Sequence, residues 1–363
     1  MTDPTNLLVF TLIVGSRIII PLWIPRFPLP AIILALVLDG LDGGLFERFT
    51  TLPLDNYQSY DKGLDIYYLT IAYLSAVRNW TNPIAVKAAA FLIYYRLMGV
   101  LLFEYSGARW ILFVFPNTFE YFFILYETAR LRWDMTHVSR KVIFGAAAAI
   151  WIVIKLPQEY WIHIAQRDVT DTLAANPILI PILTVLIAAV LGIGYWVVTQ
   201  KLPSADHSPT FAVGNNISQE TMKEAMLRYR SLSWRNQGLV EKVVLISLLS
   251  ANFSMILPGT AIATTQLAIG VGVVVVLNTF VSEILTRKGW LPVHDIRHFA
   301  SMVGVNLAIA AAFQFLLPNL QEPVRLGNML FFFFLVSLLV TMFDRFRALA
   351  NMRLDAAQPE TIQ

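Results

Sequence analysis

The chain contains no cysteine, which excludes disulfides, thiolate metal sites and a cysteine nucleophile. Charge is also scarce. Only 14% of residues are Asp, Glu, Lys or Arg, where a soluble domain carries about 25%. So few charges cannot cover a water-soluble globule of 363 residues. No internal repeat, phosphate-binding glycine loop, Ser-His-Asp arrangement or nucleic-acid motif is visible, so no nucleic-acid partner is expected. The N-terminal stretch, Met1 to Asn6, has no basic residue. Without a basic leader the first apolar run reads as a retained span, not a signal peptide.

What the chain has in abundance is apolar sequence: 57% hydrophobic residues, with 24 Phe and 9 Trp. Runs of about 20 such residues cross a bilayer as helices. The expected fold is all-α, a polytopic transmembrane helical bundle of about 11 spans. The spans are roughly Leu7–Ile24, Pro28–Gly44, Asp61–Val77, Ile84–Phe103, Trp110–Thr128, Val142–Leu156, Pro177–Val198, Val240–Leu257, Ala261–Ile284, Phe299–Leu317 and Leu326–Phe343. The sixth is only about 15 residues and ends at Pro157, so it reads as either short or tilted. Three regions follow: a polar-cavity half over residues 1–156, a connecting region over 157–239, and an apolar half over 240–363. In the connecting region, Ser218 to Arg235 reads as an amphipathic helix, either lying in the membrane interface or solvated in a linker.

Basic residues sit mainly in the loops after spans 1, 3, 5, 7 and 9 and in the C-terminal tail. Positive loops stay in the cytoplasm. The expectation is a multi-pass plasma-membrane protein with its N-terminus outside and its C-terminus in the cytoplasm.

Four carboxylates stand out. Asp39 and Asp42 are three apart in Asp-Gly-Leu-Asp-Gly-Gly, and Asp61 and Asp65 are four apart, so each pair shares a helix face. Two such helices packed together would set four carboxylates around one point. Oxygen-rich sites suit Mg²⁺, Mn²⁺ or Ca²⁺, and a divalent cation there could bridge a phosphate. Gly40, Gly43 and Gly44 would admit a headgroup close to the backbone. The same residues also read structurally: a turn leaving a helix, and acids charging the start of span 3.

This arrangement resembles the CDP-alcohol phosphotransferase family, whose signature is Asp-x-x-Asp-Gly-x-x-Ala-Arg followed by Gly-x-x-x-Asp-x-x-x-Asp. Asp39, Asp42 and Gly43 fit the first part, and Arg48 with Asp61 and Asp65 keeps the later spacing. Arg17 to Pro21, an Arg-x-x-x-Pro, is similar to the family as well. The chain has one extra residue before Arg48, Glu47 in place of Ala, and Tyr57 in place of the second Gly. The resemblance covers about 60 residues. It implies Asp39, Asp42 and Asp61 as metal ligands, and Asp65 as ligand or base beside Arg48. It also implies Mg or Mn as cofactor and a lipid-linked substrate.

Other intramembrane charges must find partners, because a charge near the bilayer centre costs at least about 2.5–3.5 kcal/mol on insertion scales. Arg96 in span 4 and Glu120 in span 5 are expected to pair, with Pro116 freeing a carbonyl and Asn117 adding an amide. Arg17 is expected to seek Asp39. His163 reads as an outer-loop residue among aromatics. His294 and His298 lie four apart in a basic loop and read as an interfacial segment. Spans 7 to 11 are plainer, so any site is expected in the first half.

Three functions are compatible with these features. One is a metal-dependent transferase on a lipid-phosphate or polyprenyl-phosphate substrate, with Gly43, Arg96, Asn117, Glu120 and Arg17 contacting it. The second is a transporter or channel using the same charges, which broken spans would favour. The third is a structural subunit with membrane-complex partners. Membrane lipids surround the protein in every case.

Overall fold

The computed structural model describes residues 4–51, 54–165, 172–173, 175–200, 203–214, 219–233, 237–256, 275–281, 284–285, 288, 300–308 and 326–357. Among them the regular structure is helical throughout, without a strand. The helices are α1 (Pro4–Ile19), α2 (Pro28–Phe49), α3 (Leu54–Asn79), α4 (Pro83–Ser106), α5 (Trp110–Val114), α6 (Thr118–Arg130), α7 (Arg140–Ile164), α8 (Leu179–Gln200), α9 (Gln219–Ser233), α10 (Gln237–Ile256) and α11 (Leu326–Ala357). Most of the expected spans Ala261–Ile284 and Phe299–Leu317 fall outside the described residues, as do His294 and His298.

Among the described residues, four helical stretches are long and apolar enough to cross a membrane: Pro4–Trp23, Pro28–Phe49, Pro83–Ser106 and Arg140–Ile164. Their outward faces expose Leu8, Leu12, Val37, Phe91 and Val153, while Arg17, Asp42 and Glu120 are buried within. Apolar residues outside and charged residues inside reverse the usual soluble pattern and fit helices whose solvent is lipid.

The middle of the bundle is α3, which packs against α1, α2, α4, α6, α10 and α11. From Leu64 to Trp80 almost every residue of this stretch is buried, including Tyr67, Tyr73, Thr70 and Ser75. One hydrophobic core extends from Ile13 on α1 to Phe346 on α11. The N-terminal and C-terminal halves are therefore joined directly, as in the bond from Tyr73 Oη to Glu241 Oε1 at 2.6 Å.

Several helices depart from expectation for local reasons. Asp-Gly-Leu-Asp-Gly-Gly is not a turn: α2 runs through it to Phe49, so helical packing outweighs the turn preference of Asp and Gly. Span 6 is not short. α7 continues through Pro157 for 25 residues, using π-helical turns at Ile150–Lys155 and Tyr160–Ile164. Wider turns absorb a proline whose missing N–H would break a regular ladder. Span 5 is not continuous but splits into α5 and α6 at Phe115-Pro116-Asn117. The amphipathic helix α9 lies neither free in solvent nor with a bare apolar face: Met222, Ala225 and Met226 pack on Ala348 and Leu349 of α11.

Loops gather by parity at the two ends. At one end Asn79 donates to the Pro25 carbonyl at 3.0 Å and Arg130 to the Asn79 carbonyl at 3.1 Å. There too, Val213 N–H reaches the Arg26 carbonyl and Asp206 N–H the Arg132 carbonyl, both at 2.8 Å. In the same loop Asp134 accepts from the Thr136 hydroxyl and backbone N–H, which hold its carboxyl below the usual range. At the other end Asn6 bonds Thr51 and Lys62 pairs with Glu104. The loops after spans 1, 3, 5 and 7 thus share one end, together with the C-terminal part of α11, as alternation of charge requires.

Candidate functional site

The site has two parts joined through Tyr68. In the first, Arg17 on α1 reaches Asp39 and Asp42 on α2 and Asp65 on α3 at once. The expected contact of Arg17 with Asp39 is present. The spacing arguments explain the geometry: Asp39 and Asp42 fall on one face of the uninterrupted α2, and α3 brings Asp65 against it. Asp42 is 3% exposed, Asp39 26% and Asp65 40%, so the cluster opens outward on the Asp65 side. Among the described residues, three carboxylates meet one guanidinium, an acidic excess.

Asp61 lies on α3 one turn before Asp65, but its side chain is outside the described residues. Arg48 is exposed near the end of α2. Gly43 has open space where a Cβ would stand, so a group can approach the backbone there. Among the described residues no group of three or more His, Asp or Glu is arranged to hold a metal ion. Arg17 takes the point on which the carboxylates converge, and a divalent cation at that point requires Arg17 to leave it.

The second part surrounds the break in span 5. The last turn of a helix leaves carbonyls without partners, and here α4 supplies them. Tyr95 Oη donates to the Val114 carbonyl at 3.1 Å, and Arg96 donates to the Phe115 carbonyl at 3.0 Å. The positive guanidinium also suits the negative end of α5. Arg96 therefore does not pair with Glu120 as expected. The break exposes a nearer acceptor, and Glu120 is satisfied elsewhere. Gly99 makes the fit possible: a Cβ there would stand 2.1 Å from Phe115 Cβ.

Acids collect at the other side of the break, where the N-terminus of α6 is positive. Glu120, 4% exposed, accepts from Tyr68 Oη at 2.5 Å and from Asn117 Nδ2 at 3.1 Å. Glu159 of α7 accepts the Asn117 backbone N–H at 3.2 Å and faces His163 Nε2 at 2.9 Å. Buried Lys155 sits over the Tyr121 ring, 4.0 Å from its centre, and Glu120 and Glu159 are the acids that act on it most. Asp39 is close enough to act electrostatically on both Tyr68 and Glu120. Tyr68 stands about one turn after Asp65 on α3 and donates to Glu120, so it links the two parts.

Of the residues expected at a site, the structure brings together Arg17, Asp39, Asp42 and Asp65, and separately Arg96, Asn117 and Glu120. Tyr68, Glu159, Lys155 and His163 were not assigned to it. The signal for the last three was present: Lys155, Glu159 and His163 recur every four residues and so share a face. Reading Pro157 as a helix end hid it, and placed His163 in a loop instead of on the last turn of α7. No protein-family model, curated protein or solved structure matches the chain.

Proposed function

We propose that this protein is a membrane transport protein whose path follows the polar region from the Arg17 cluster to the break in span 5, and that the moving or coupling species is a cation, the proton included. The observation that carries this reading is the interruption at Phe115-Pro116-Asn117, lined on both sides by charged side chains. Irregular backbone at membrane depth is tolerated where it is buried in protein or lines a cavity, and half-helix ends are the usual ion sites of transporters. The acidic excess around Arg17 favours a positive species. The loop charges support a cytoplasmic basic end with the N-terminus outside, and the plasma membrane is the location taken with this reading.

The native chain has no cysteine, so single introduced cysteines report water access cleanly. In membrane vesicles, Gly43→Cys and Asn117→Cys are expected to react with a membrane-impermeant maleimide from at least one side. The loop control Thr136→Cys should react from one side only. If Gly43→Cys and Asn117→Cys stay unlabelled from both sides while the control reacts, the transport reading is wrong.

A second reading, the metal-dependent transferase with a lipid-phosphate substrate, is favoured by the convergence of Asp39, Asp42 and Asp65. It requires Mg²⁺ or Mn²⁺ to displace Arg17. A bound ion would stabilise the fold by about 2.7 kcal/mol at a hundredfold excess over its dissociation constant. A melting temperature that rises with either ion, and no longer does so in Asp39→Asn, would favour this reading over transport.

A further inference from the structure

The proposed path opens outward on the Asp65 side, where the side chains of Asp39 and Asp65 are 26% and 40% exposed. In the other direction it runs into aromatic rings. On α6, Phe122, Phe123 and Tyr126 follow Glu120 toward the helix end at Arg130. Trp80, just past the end of α3, closes on them. Its ring centre lies 3.9 Å from that of Tyr126, 5.7 Å from Phe123 and 6.0 Å from Phe122. All four residues are buried. Trp80 Nε1 donates to Glu127 Oε1 at 2.7 Å, which fastens this plug from α3 to α6.

A strap crosses the same end of the bundle. Residues 203–214, between α8 and α9, have no regular secondary structure, and 203–212 are all exposed. Val213 N–H donates to the Arg26 carbonyl and Asp206 N–H to the Arg132 carbonyl, both at 2.8 Å. Asp206 Oδ2 accepts from Asp134 N–H at 2.8 Å, and the Pro203 carbonyl accepts from Trp133 Nε1 at 3.2 Å. The strap thus ties the loop before α2 to the loop after α6. Asn79, the neighbour of Trp80, joins the same two regions: it donates to the Pro25 carbonyl and accepts from Arg130. Strap and plug therefore hold one set of helix ends together. The strap is the weaker of the two, because hydrogen bonds at an exposed surface contribute little net. Segments held mainly by such bonds open first, and moving lids are drawn from them.

A path that serves transport must open to each side in turn, by movement of one part of the bundle against another. We propose, resting on the transport reading, that strap and plug are one gate. Release of the strap frees the loops after spans 1 and 5, the end of α6 moves off Trp80, and the path opens at this end. The arrangement described here is the state open on the Asp65 side and shut at Trp80.

The test uses the full chain in membrane vesicles, with Asn117→Cys as the reporter. A membrane-impermeant maleimide is added from the strap side, the side from which Thr136→Cys reacts. Labelling follows the population of the open state, so Asn117→Cys should react more slowly from this side than from the other. Asp206→Pro/Val213→Pro removes the donors to the Arg132 and Arg26 carbonyls and the acceptor for Asp134 N–H. It should raise the strap-side rate at least threefold. Trp80→Ala removes the plug and should raise it at least tenfold. If Trp80→Ala does not fold, Trp80→Phe keeps a ring but loses the bond to Glu127, and should raise it at least twofold. Ser250→Cys, buried in α10, should stay unlabelled in every background, which separates opening of the gate from loosening of the whole fold. The gate is overturned if Asn117→Cys already reacts as fast from the strap side as from the other. It is overturned equally if the strap-side rate is unchanged in the strap variant or in the Trp80 variants, or if Ser250→Cys becomes labelled alongside Asn117→Cys. In each of these cases labelling of Asn117→Cys from the Asp65 side leaves the transport path standing. Asn117→Cys and Gly43→Cys silent from both sides in every background would end both readings.

Discussion

Arg17 and Lys242 are both cations buried inside the helical bundle, at 4% and 1% exposure, and they are partnered in opposite ways. Lys242 of α10 meets one carboxylate, Asp344 of α11, at 2.8 and 2.9 Å, and its remaining donor reaches Thr279 Oγ1 at 2.8 Å. Among the described residues one cation here meets one carboxylate. Nearby, Asn278 bonds Asn306, which bonds Ser337, a neutral chain of amides and a hydroxyl. Arg17 meets three carboxylates, two of them partly exposed. Close by lie a broken helix and two π-helical turns. A matched pair on regular helices is the economical way to bury charge for structure. An unmatched cluster beside irregular backbone retains a capacity to take up something else. This contrast supports seeking the proposed transport path in the first half.

The largest expected effect is at Arg17. Arg17→Met strands Asp42 and leaves two further acids beside it. A buried charge that loses its partner costs roughly 3–5 kcal/mol, so the variant should lose at least that much stability, seen as a fall in melting temperature in detergent. Because several acids share the one cation, Asp42→Asn added to Arg17→Met should recover only part of the loss. Full recovery would show that Arg17 and Asp42 are an ordinary pair and would erase the contrast with Lys242.

At the second half the same experiment should end differently. Lys242→Met alone leaves Asp344 buried without its cation, at a cost of roughly 3–5 kcal/mol. Lys242→Met/Asp344→Leu removes both charges, and apolar replacements of similar volume are often neutral or stabilising. Near-complete recovery of the melting temperature is the expected outcome. A double variant as unstable as the single one would mean that this pair also does more than hold the bundle.

The sequence made some of this legible and hid the rest, for identifiable reasons. Hydropathy marked α1, α2 and α4 well, because a lipid-facing helix must be apolar along a bilayer's width. The i,i+3 spacing of Asp39 and Asp42 correctly put them together, and Arg17 had to find acids somewhere. The partner of Arg96 was not legible. A main-chain carbonyl becomes an acceptor only once the helix is broken, and Pro116 alone does not show where it breaks. Lys242 and Asp344 stand 102 positions apart near the ends of their spans, where charges pass for loop residues, so the second half looked plainer than it is. In α2, local turn preference and long-range packing disagreed, and packing prevailed.

The break itself can be stressed through Gly99. A methyl there meets the Cβ of Phe115, which is fixed to the backbone of the break and cannot swing aside as a side-chain tip could. Overpacking of this kind costs typically about 1–3 kcal/mol. Gly99→Ala should therefore lower stability by that amount and shift the backbone at Phe115-Pro116-Asn117. In the maleimide experiment, labelling of Asn117→Cys should change when Gly99→Ala is added, while labelling of Gly43→Cys, which lies in the other part of the site, should not.

The smallest expected effect separates Arg96 from Glu120. Arg96 caps the C-terminal carbonyl of α5, and Glu120 is held by Tyr68 and Asn117 at the N-terminus of α6. They serve opposite sides of one break without touching. Arg96→Met leaves the Phe115 carbonyl without its donor, a loss of about 1–3 kcal/mol if the carbonyl stays dry. Glu120→Gln keeps the shape of the acid and can still accept from Tyr68. Residues in direct contact show interaction energies of about 0.5–3 kcal/mol in a double-mutant cycle, whereas independent sites add to within about 0.3–0.5 kcal/mol. The cycle of Arg96→Met and Glu120→Gln should fall in the additive range. A coupling well above it would mean that the two charges meet across the break, as two adjacent antiparallel spans would suggest, and that the carbonyl cap is not the resting position of Arg96.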